Sequence, residues 1–297
     1  MPAEATFVAP ATLEEAAAAL AADNALALAG GTSVGLLVGQ RLIEPATLVW
    51  LSQIPELRGI TRRGDRVIIG AAVTLREILA DAHLRAVSPA VTAAAAAVGN
   101  TRVRAVATVG GALAHADPRQ DLPPALLVHD AEVQLASARG RRSLPLSELA
   151  TGFMSTVLAE GEIITGVSLP VVAGCRSCYC RYTPGSSDDY PTVSVAAALT
   201  VERGSITAAR VAVGGAGPTA YLVPEASRLA GTEAGTEAPP AARAEVARAA
   251  VERSAPADNR LGSAAYKRAM LAVWVDRALA SCLGDPGPAD GSGWSTA

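Results

Sequence analysis

The spacing of apolar and polar positions divides the chain into short elements separated by turn residues. The stretch PATLEE at 10–15 opens a helix: Thr12 is the cap, Glu15 sits three residues on, and an alanine-rich run carries the helix to about Ala22. A short apolar strand over Ala25 to Ala29 runs straight into Gly30 and Gly31. A helical turn or two covers Val34 to Val38, and a second strand spans Thr47 to Leu51. Further on, Arg62 to Asp65 reads as a hairpin turn followed by a strand over Arg66 to Gly70. Helices are predicted from Leu75 to Leu79, from Pro89 to Val98 with an almost pure alanine surface, and from Ala125 to Val128. Strands are predicted over Glu132 to Ala136, Arg141 to Leu144 and Ile163 to Leu169. A second unit starts near Cys175. Cys178 to Thr183 is a strand, and Val193 to Glu202 pairs with Ile206 to Val213 around a turn at Arg203 and Gly204. A glycine loop follows at Gly214 to Pro218, then a polar stretch from Thr232 to Pro240. The helix over Ala241 to Glu252 spaces Ala244, Ala247 and Val251 on its apolar face. A long helix within Asn259 to Leu283 has Ala269, Val273 and Leu279 as buried candidates, and a flexible tail begins at Gly284. The pattern is α+β in two or three parts, without a regular βαβ repeat.

Composition narrows this picture. A chain of 297 residues, 50% hydrophobic and 18% charged, suits one large domain or two modest ones and excludes a coiled coil or a disordered tail. Aromatic residues make up 3%, so Ala, Val and Leu fill the core and close backbone approaches are expected. A net charge of −3 gives no basic footprint for nucleic acid or anionic lipid. The mean hydropathy of +0.29 is high, yet no uncharged apolar run reaches the ~20 residues of a membrane span. The first 20 residues carry acids and no base, unlike a signal peptide. The four cysteines, three of them at 175–180, do not form a disulfide framework, and a cytoplasmic location is expected.

Two glycine pairs stand out. AGGTS at 29–33 follows an apolar strand, so Gly30 and Gly31 could let backbone amides cradle phosphate oxygens, with hydroxyls from Thr32 and Ser33. TVGG at 108–111 could supply a second such nest, and two facing nests could clamp a diphosphate; a lone Gly-Gly more often marks a tight turn. Neither segment fits the dinucleotide fingerprint or the P-loop. In the polar cluster that follows, Asp117 could close a turn through Pro118. Asp121 could cap the helix at Leu122 or accept hydroxyls from a sugar or ribityl chain. His115 could move a proton, although nothing pairs with it in sequence; His83 and His129 read as surface or turn residues. Cys175, Cys178 and Cys180 tempt a metal reading, but Cys178 and Cys180 share one face of a strand, which favours packing. Arg181, before the polar loop 183–190, either neutralises an anionic ring or pairs with Asp188 or Asp189 at the surface.

Taken together, AGGTS at 29–33, TVGG at 108–111, ADPRQDLPPALL at 116–127, RYTPGSSDDYPTVSVAAAL at 181–199 and AAYKRAMLAVWVDRAL at 264–279 resemble the FAD-binding medium subunit of the molybdenum hydroxylases, the carbon monoxide dehydrogenase and xanthine dehydrogenase type. The resemblance runs from Phe7 to about Leu283. It implies a two-lobed FAD-binding domain of the vanillyl-alcohol-oxidase-like kind, with lobes at 1–58 and 59–172. A smaller α+β domain at 175–283 and a tail at 284–297 would follow. It also implies that Ala29, Gly30, Gly31, Thr32, Ser33 and Val34, with Thr108, Gly110 and Gly111, cradle the FAD diphosphate, flanked by Ala27 and Leu28. Asp121 would contact the sugar or ribityl region, Ile164 would pack on the isoalloxazine, and Arg181 would lie near the ring, with Asp117 close by. Val98 stands where some members carry an aromatic, Ala112 where an asparagine is frequent, and His115 where a small or polar residue is usual. In the family a large partner subunit carries molybdopterin and a small one carries two [2Fe–2S] clusters, in a dimer of heterotrimers. FAD on the medium subunit passes electrons to NAD⁺, a quinone or O₂, and the subunit itself has no acid–base triad. The rival readings are a stand-alone FAD-dependent oxidoreductase acting on a small substrate and a non-catalytic scaffold subunit.

Overall fold

The computed structural model describes residues 5–234 and 240–284. The first lobe is a βαβαβ unit: β1 (Thr6–Val8), α1 (Leu13–Leu20), β2 (Ala25–Leu28), α2 (Thr32–Gly39) and β3 (Thr47–Trp50). Its strands are parallel, with β3 between β1 and β2. Thr12 caps α1 as predicted, its hydroxyl accepting the Glu15 N–H at 3.2 Å, and Leu13, Ala16, Ala17 and Leu20 form the buried stripe. In contrast, α2 buries no residue, and its Leu36 is 64% exposed. Apolar packing therefore contributes little to holding α2.

The second lobe is built on an antiparallel sheet ordered β4-β5-β10-β6-β7. Its elements are β4 (Ile60–Arg63), β5 (Arg66–Gly70), six helices, β6 (Glu132–Ser137), β7 (Gly140–Pro145), the ribbon β8 (Ala150–Gly152) and β9 (Ser155–Thr156), and β10 (Ile163–Pro170). The helices are α3 (Leu75–Ala80), α4 (Ala82–Val87), α5 (Pro89–Ala97), α6 (Thr101–Val106), α7 (Val109–His115) and α8 (Leu122–Leu127). A reciprocal Thr74–Glu77 capping box starts α3, and Asp81 and Asn100 cap α4 and α6. The alanine surface of α5 is a packing surface: Ala90, Val91, Ala94 and Ala95 are all buried. A side chain of one methyl group lets neighbouring backbones come close, which is how a core poor in aromatics stays dense.

The C-terminal domain is an antiparallel sheet in the order of β11 (Cys175–Tyr182), β12 (Val193–Glu202), β13 (Ser205–Gly214) and β14 (Tyr221–Leu222), followed by α9 (Pro240–Arg253) and α10 (Ala264–Leu283). The β12–β13 turn uses Arg203 (φ 50°) and Gly204 (φ 82°), the left-handed pair that a two-residue hairpin requires. Strand β12 is buried on both faces. Val195, Ala197 and Leu199 pack under α9 and α10, while Ala196 and Ala198 join the core of the second lobe. Helix phase was harder to read from sequence. In α10 the buried stripe is Leu271, Trp274, Val275, Ala278 and Leu279, so Ala269 and Val273 face outward. In α9 Ala244 is exposed and Val246, Ala247, Ala249 and Ala250 are buried. Alanines all round a helix leave the apolar period undefined. Part of the predicted polar stretch, 235–239, and the tail from 285 lie outside the described residues. Among the described residues no helix is long and apolar enough to cross a membrane.

Candidate functional site: a cradle between two lobes

Strand β2 ends at Leu28, and the chain reverses over Ala29, Gly30 and Gly31 into α2. Gly31 is the N-cap residue, in the left-handed region at φ 72°, and it has no side chain to cap with. The first bond of the helix runs from the Gly35 N–H to the Gly31 carbonyl at 2.8 Å. The N–H groups of Thr32, Ser33 and Val34 precede that bond and have no helical acceptor. Residues 28–34 are half-buried, so these amides line a recess at the positive end of the helix dipole, while Ala27 is exposed beside it. The recess suits an anion with several oxygens.

The opposite wall is the junction between α6 and α7. Gly30 lies flat against it: a Cβ on Gly30 would fall 1.8 Å from the Val106 carbonyl oxygen and 2.5 Å from its carbon. Glycine is therefore what lets the first lobe touch the second. The two glycine segments are brought together, as the sequence suggested, but the second is not a free amide nest. The Val109 N–H bonds the Val73 carbonyl at 3.0 Å, and the Gly110 N–H bonds Ala71 at 2.8 Å. Thr108 caps α7, accepting the Gly111 N–H at 3.2 Å. Gly110 serves packing, since a Cβ there would meet the Ala71 Cβ at 2.6 Å. What meets Gly30 from this side is the Val106–Ala107 backbone; Thr108 follows it buried, Gly111 is exposed and Ala112 half-buried.

The end of α7 carries the polar cluster. Asp117 is buried, and its Oδ1 accepts the Arg119 N–H at 2.9 Å, closing the predicted turn; Arg119 also clamps Oδ2 at 2.6 Å and stacks 4.8 Å over Tyr190. Burial pushes the Asp117 carboxyl up, but the Arg119 hydrogen bonds outweigh it and hold the group below its usual range. Burial also lowers His115, against the pull of Asp117, which keeps the imidazole neutral near pH 7.

Asp121 does not cap α8 with its side chain. Its carboxylate receives the Tyr179 hydroxyl at 2.5 Å and Arg181 at 3.2 and 3.4 Å, while the other Arg181 nitrogen donates to the Ser187 carbonyl. Arg181 thus pairs with neither Asp188 nor Asp189; Asp188 instead receives Asn100 Nδ2 at 3.4 Å. Burial drives the Asp121 carboxyl up, and Arg181 and Tyr179 offset that only in part. Tyr179 was missed from sequence, although the two-residue period of β11 places 177, 179 and 181 on one face. Loop 183–192 and the start of α6 are thereby tied together beside Val98, whose carbonyl accepts Arg104 at 3.0 Å. Ile164 lies in the core of the second lobe at 5% exposure, which leaves little of its side chain for a ligand.

One further expectation changes. His129 is buried, 3.2 Å from Ser177 Oγ, and burial with Arg210 nearby lowers it to about 4. Cys178 and Cys180 pack against the apolar core that contains Cys282, the packing their shared strand face favoured; among the described residues no group of three ligating side chains is arranged to hold a metal. A hollow of about 300 Å³ beside α3, lined by residues such as Gly59 and Glu77, shares no residue with the cradle.

Residues 3–172 match the family model of the FAD binding domain in molybdopterin dehydrogenase. The chain belongs to that family. Residues 179–282 match the CO dehydrogenase flavoprotein C-terminal domain. The carbon monoxide dehydrogenase medium chain of Hydrogenophaga pseudoflava is 31% identical over 276 residues, 92% of this chain and 95% of that one. The nicotine 6-hydroxylase medium subunit of Paenarthrobacter nicotinovorans is also 31% identical, over the same shares of each chain. A solved structure of the Hydrogenophaga pseudoflava carbon monoxide dehydrogenase, lacking the Mo-pyranopterin moiety, superposes with a TM-score of 0.90 at 30% identity, covering 95% of this chain and 98% of that chain. This molybdopterin dehydrogenase family member is accordingly the FAD-binding subunit of an oxidoreductase complex, with a two-lobed FAD-binding domain and a smaller α+β domain after it.

Proposed function

We propose that this chain is the electron-relay subunit of a molybdenum hydroxylase, set between iron–sulfur clusters on one partner and an external acceptor. The carrying observation is the contact of Gly30 with Val106, which places an uncapped helix start against the second lobe. That recess fits a diphosphate: free N–H donors at the start of α2, with the second lobe's backbone close against Gly30. Residues 30–34 would hold the diphosphate, with Ala27 and Leu28 leading into the turn. Thr108 and Gly111 would close the far side, and Ala112, His115 and Asp117 would line its end. Asp121 and Tyr179 would hold Arg181 toward the ring side near Val98. When bound, FAD supplies the step between one- and two-electron carriers. The residues of this chain bind and orient it; none is placed as an acid–base catalyst.

On this reading a large subunit carries molybdopterin and a small subunit carries two [2Fe–2S] clusters, in a cytoplasmic dimer of heterotrimers. The acceptor is NAD⁺, a quinone or O₂. The same reading sets the domain limits at 1–58, 59–172 and 175–283. The test is purification with the partner subunits. One FAD per chain, reduced only when both partners and substrate are present, supports the relay. Colourless protein, or reduction of the isolated flavin subunit by substrate, contradicts it.

A further inference from the structure

Strand β11 has two chemically different faces. Ser177, Tyr179 and Arg181 point toward the second lobe, where they meet His129 and Asp121. Cys178, Cys180 and Tyr182 point the other way, into the core beneath α10. There the chain brings together residues 104 positions apart: the sulfurs of Cys178 and Cys282 lie 3.1 Å from each other, with both thiols free. Each sulfur is also anchored. Cys178 Sγ donates to the Ala278 carbonyl at 3.1 Å, and Cys282 Sγ lies 3.3 Å from the Ala197 carbonyl. These contacts fix both sulfurs on regular elements, the edge strand β11 and the last turn of a long helix. A disulfide bond needs a separation near 2.05 Å, so about 1 Å of approach remains.

We propose that Cys178 and Cys282 form a reversible dithiol–disulfide site that cross-links β11 to the end of α10 when peroxide is present. In the balanced step, one thiol sulfur attacks a peroxide oxygen, giving a sulfenic acid and one water. The second sulfur then displaces the sulfenic oxygen as a second water, leaving the S–S bond. Two thiols lose two electrons and two protons, and one hydrogen peroxide becomes two waters. Cys178, half-buried, takes the first oxidation; Cys282, buried, resolves it. The neighbouring Cys180 sulfur lowers the Cys178 thiol, but the hydrogen bond with Cys282 and burial outweigh it and push it up, so reaction is slow and needs peroxide in excess. Cys175 is the internal reference, because its sulfur lies 3.9 Å from the Arg176 carbonyl rather than beside another thiol.

The test uses the intact complex treated with hydrogen peroxide, alkylated under denaturing conditions and digested with trypsin. Cleavage after Arg176, Arg181 and Arg277 leaves Cys178 and Cys180 on one five-residue peptide and Cys282 on the C-terminal peptide. The expected product joins these two peptides, falls apart on reduction with dithiothreitol, and leaves Cys175 alkylated. It persists in Cys180→Ser and disappears in Cys178→Ser and Cys282→Ser. The proposal is overturned if the two peptides stay separate after prolonged treatment, if the sulfurs advance to sulfinic acids individually, or if the link in the native chain runs through Cys180. Cys282→Ala, which keeps a small apolar side chain, separates chemistry from folding: full flavin content with no cross-link supports the assignment.

Discussion

Replacing Gly30 by alanine is the sharpest probe of the cradle. The added methyl would sit 1.8 Å from the Val106 carbonyl oxygen, about 1.6 Å inside the 3.4 Å at which ordinary contact begins. The obstacle is backbone, so no side-chain rotation relieves it, and the first lobe must lift away from the α6–α7 junction. Overpacking against rigid neighbours costs about 3 kcal/mol. Where that strain falls on closing the two lobes around the cofactor, FAD affinity drops ~100-fold. Two neighbours calibrate the result. Gly31→Ala meets only Leu28 Cδ1 at 3.6 Å, so its penalty is the left-handed φ of 72°, about 1 kcal/mol or ~5-fold in affinity. Gly35→Ala meets nothing within 4 Å and sits inside α2, so it leaves binding intact and stabilises the helix by about 1 kcal/mol. The assay is FAD titration of deflavinated complex followed by fluorescence quenching. Wild-type affinity in Gly30→Ala would falsify the argument, as would equal losses in all three variants.

The other predictions concern the polar contacts. Arg181→Ala strands the buried Asp121 carboxylate and costs about 3 kcal/mol in urea unfolding, and adding Asp121→Asn recovers part of that loss; an unchanged midpoint in the single variant counts against the buried pair. Thr108→Val removes the cap of α7 and costs about 1 kcal/mol with a reduced flavin content, whereas Thr108→Ser keeps both near normal. His129 is held neutral, its value lowered from 6.5 to about 4, so between those pH values the unfolded chain binds a proton that the folded chain does not. Stability therefore falls as the pH drops from about 6.5 to about 4, by about 3 kcal/mol in all, and His129→Gln flattens that slope in equilibrium unfolding.

Much of this architecture is legible in the residues. Local signals set the Thr12 cap, the Arg203–Gly204 hairpin and the glycine turn after β2, because each depends on a few neighbouring side chains. The Asp117 turn was readable for the same reason. What could not be read depends on distant backbone. The amides of Val109 and Gly110 are taken by Val73 and Ala71, some forty residues back, so a motif that looks like a free nest is a packed helix start. The partner of Arg181 lies sixty residues away at Asp121, while two nearer aspartates were the local candidates. His129 is buried because β11 of the next domain covers it. The phase of α10 was hidden by alanines and an outward-facing Val273, while Leu271, Trp274, Val275 and Leu279 mark the inner face.

The most direct test of the account is a structure of the flavin-loaded complex, determined well enough to place the diphosphate. The account predicts its oxygens within hydrogen-bonding reach of the N–H groups at the start of α2, on the side facing Val106. A diphosphate bound elsewhere, with those amides turned to solvent, would contradict it.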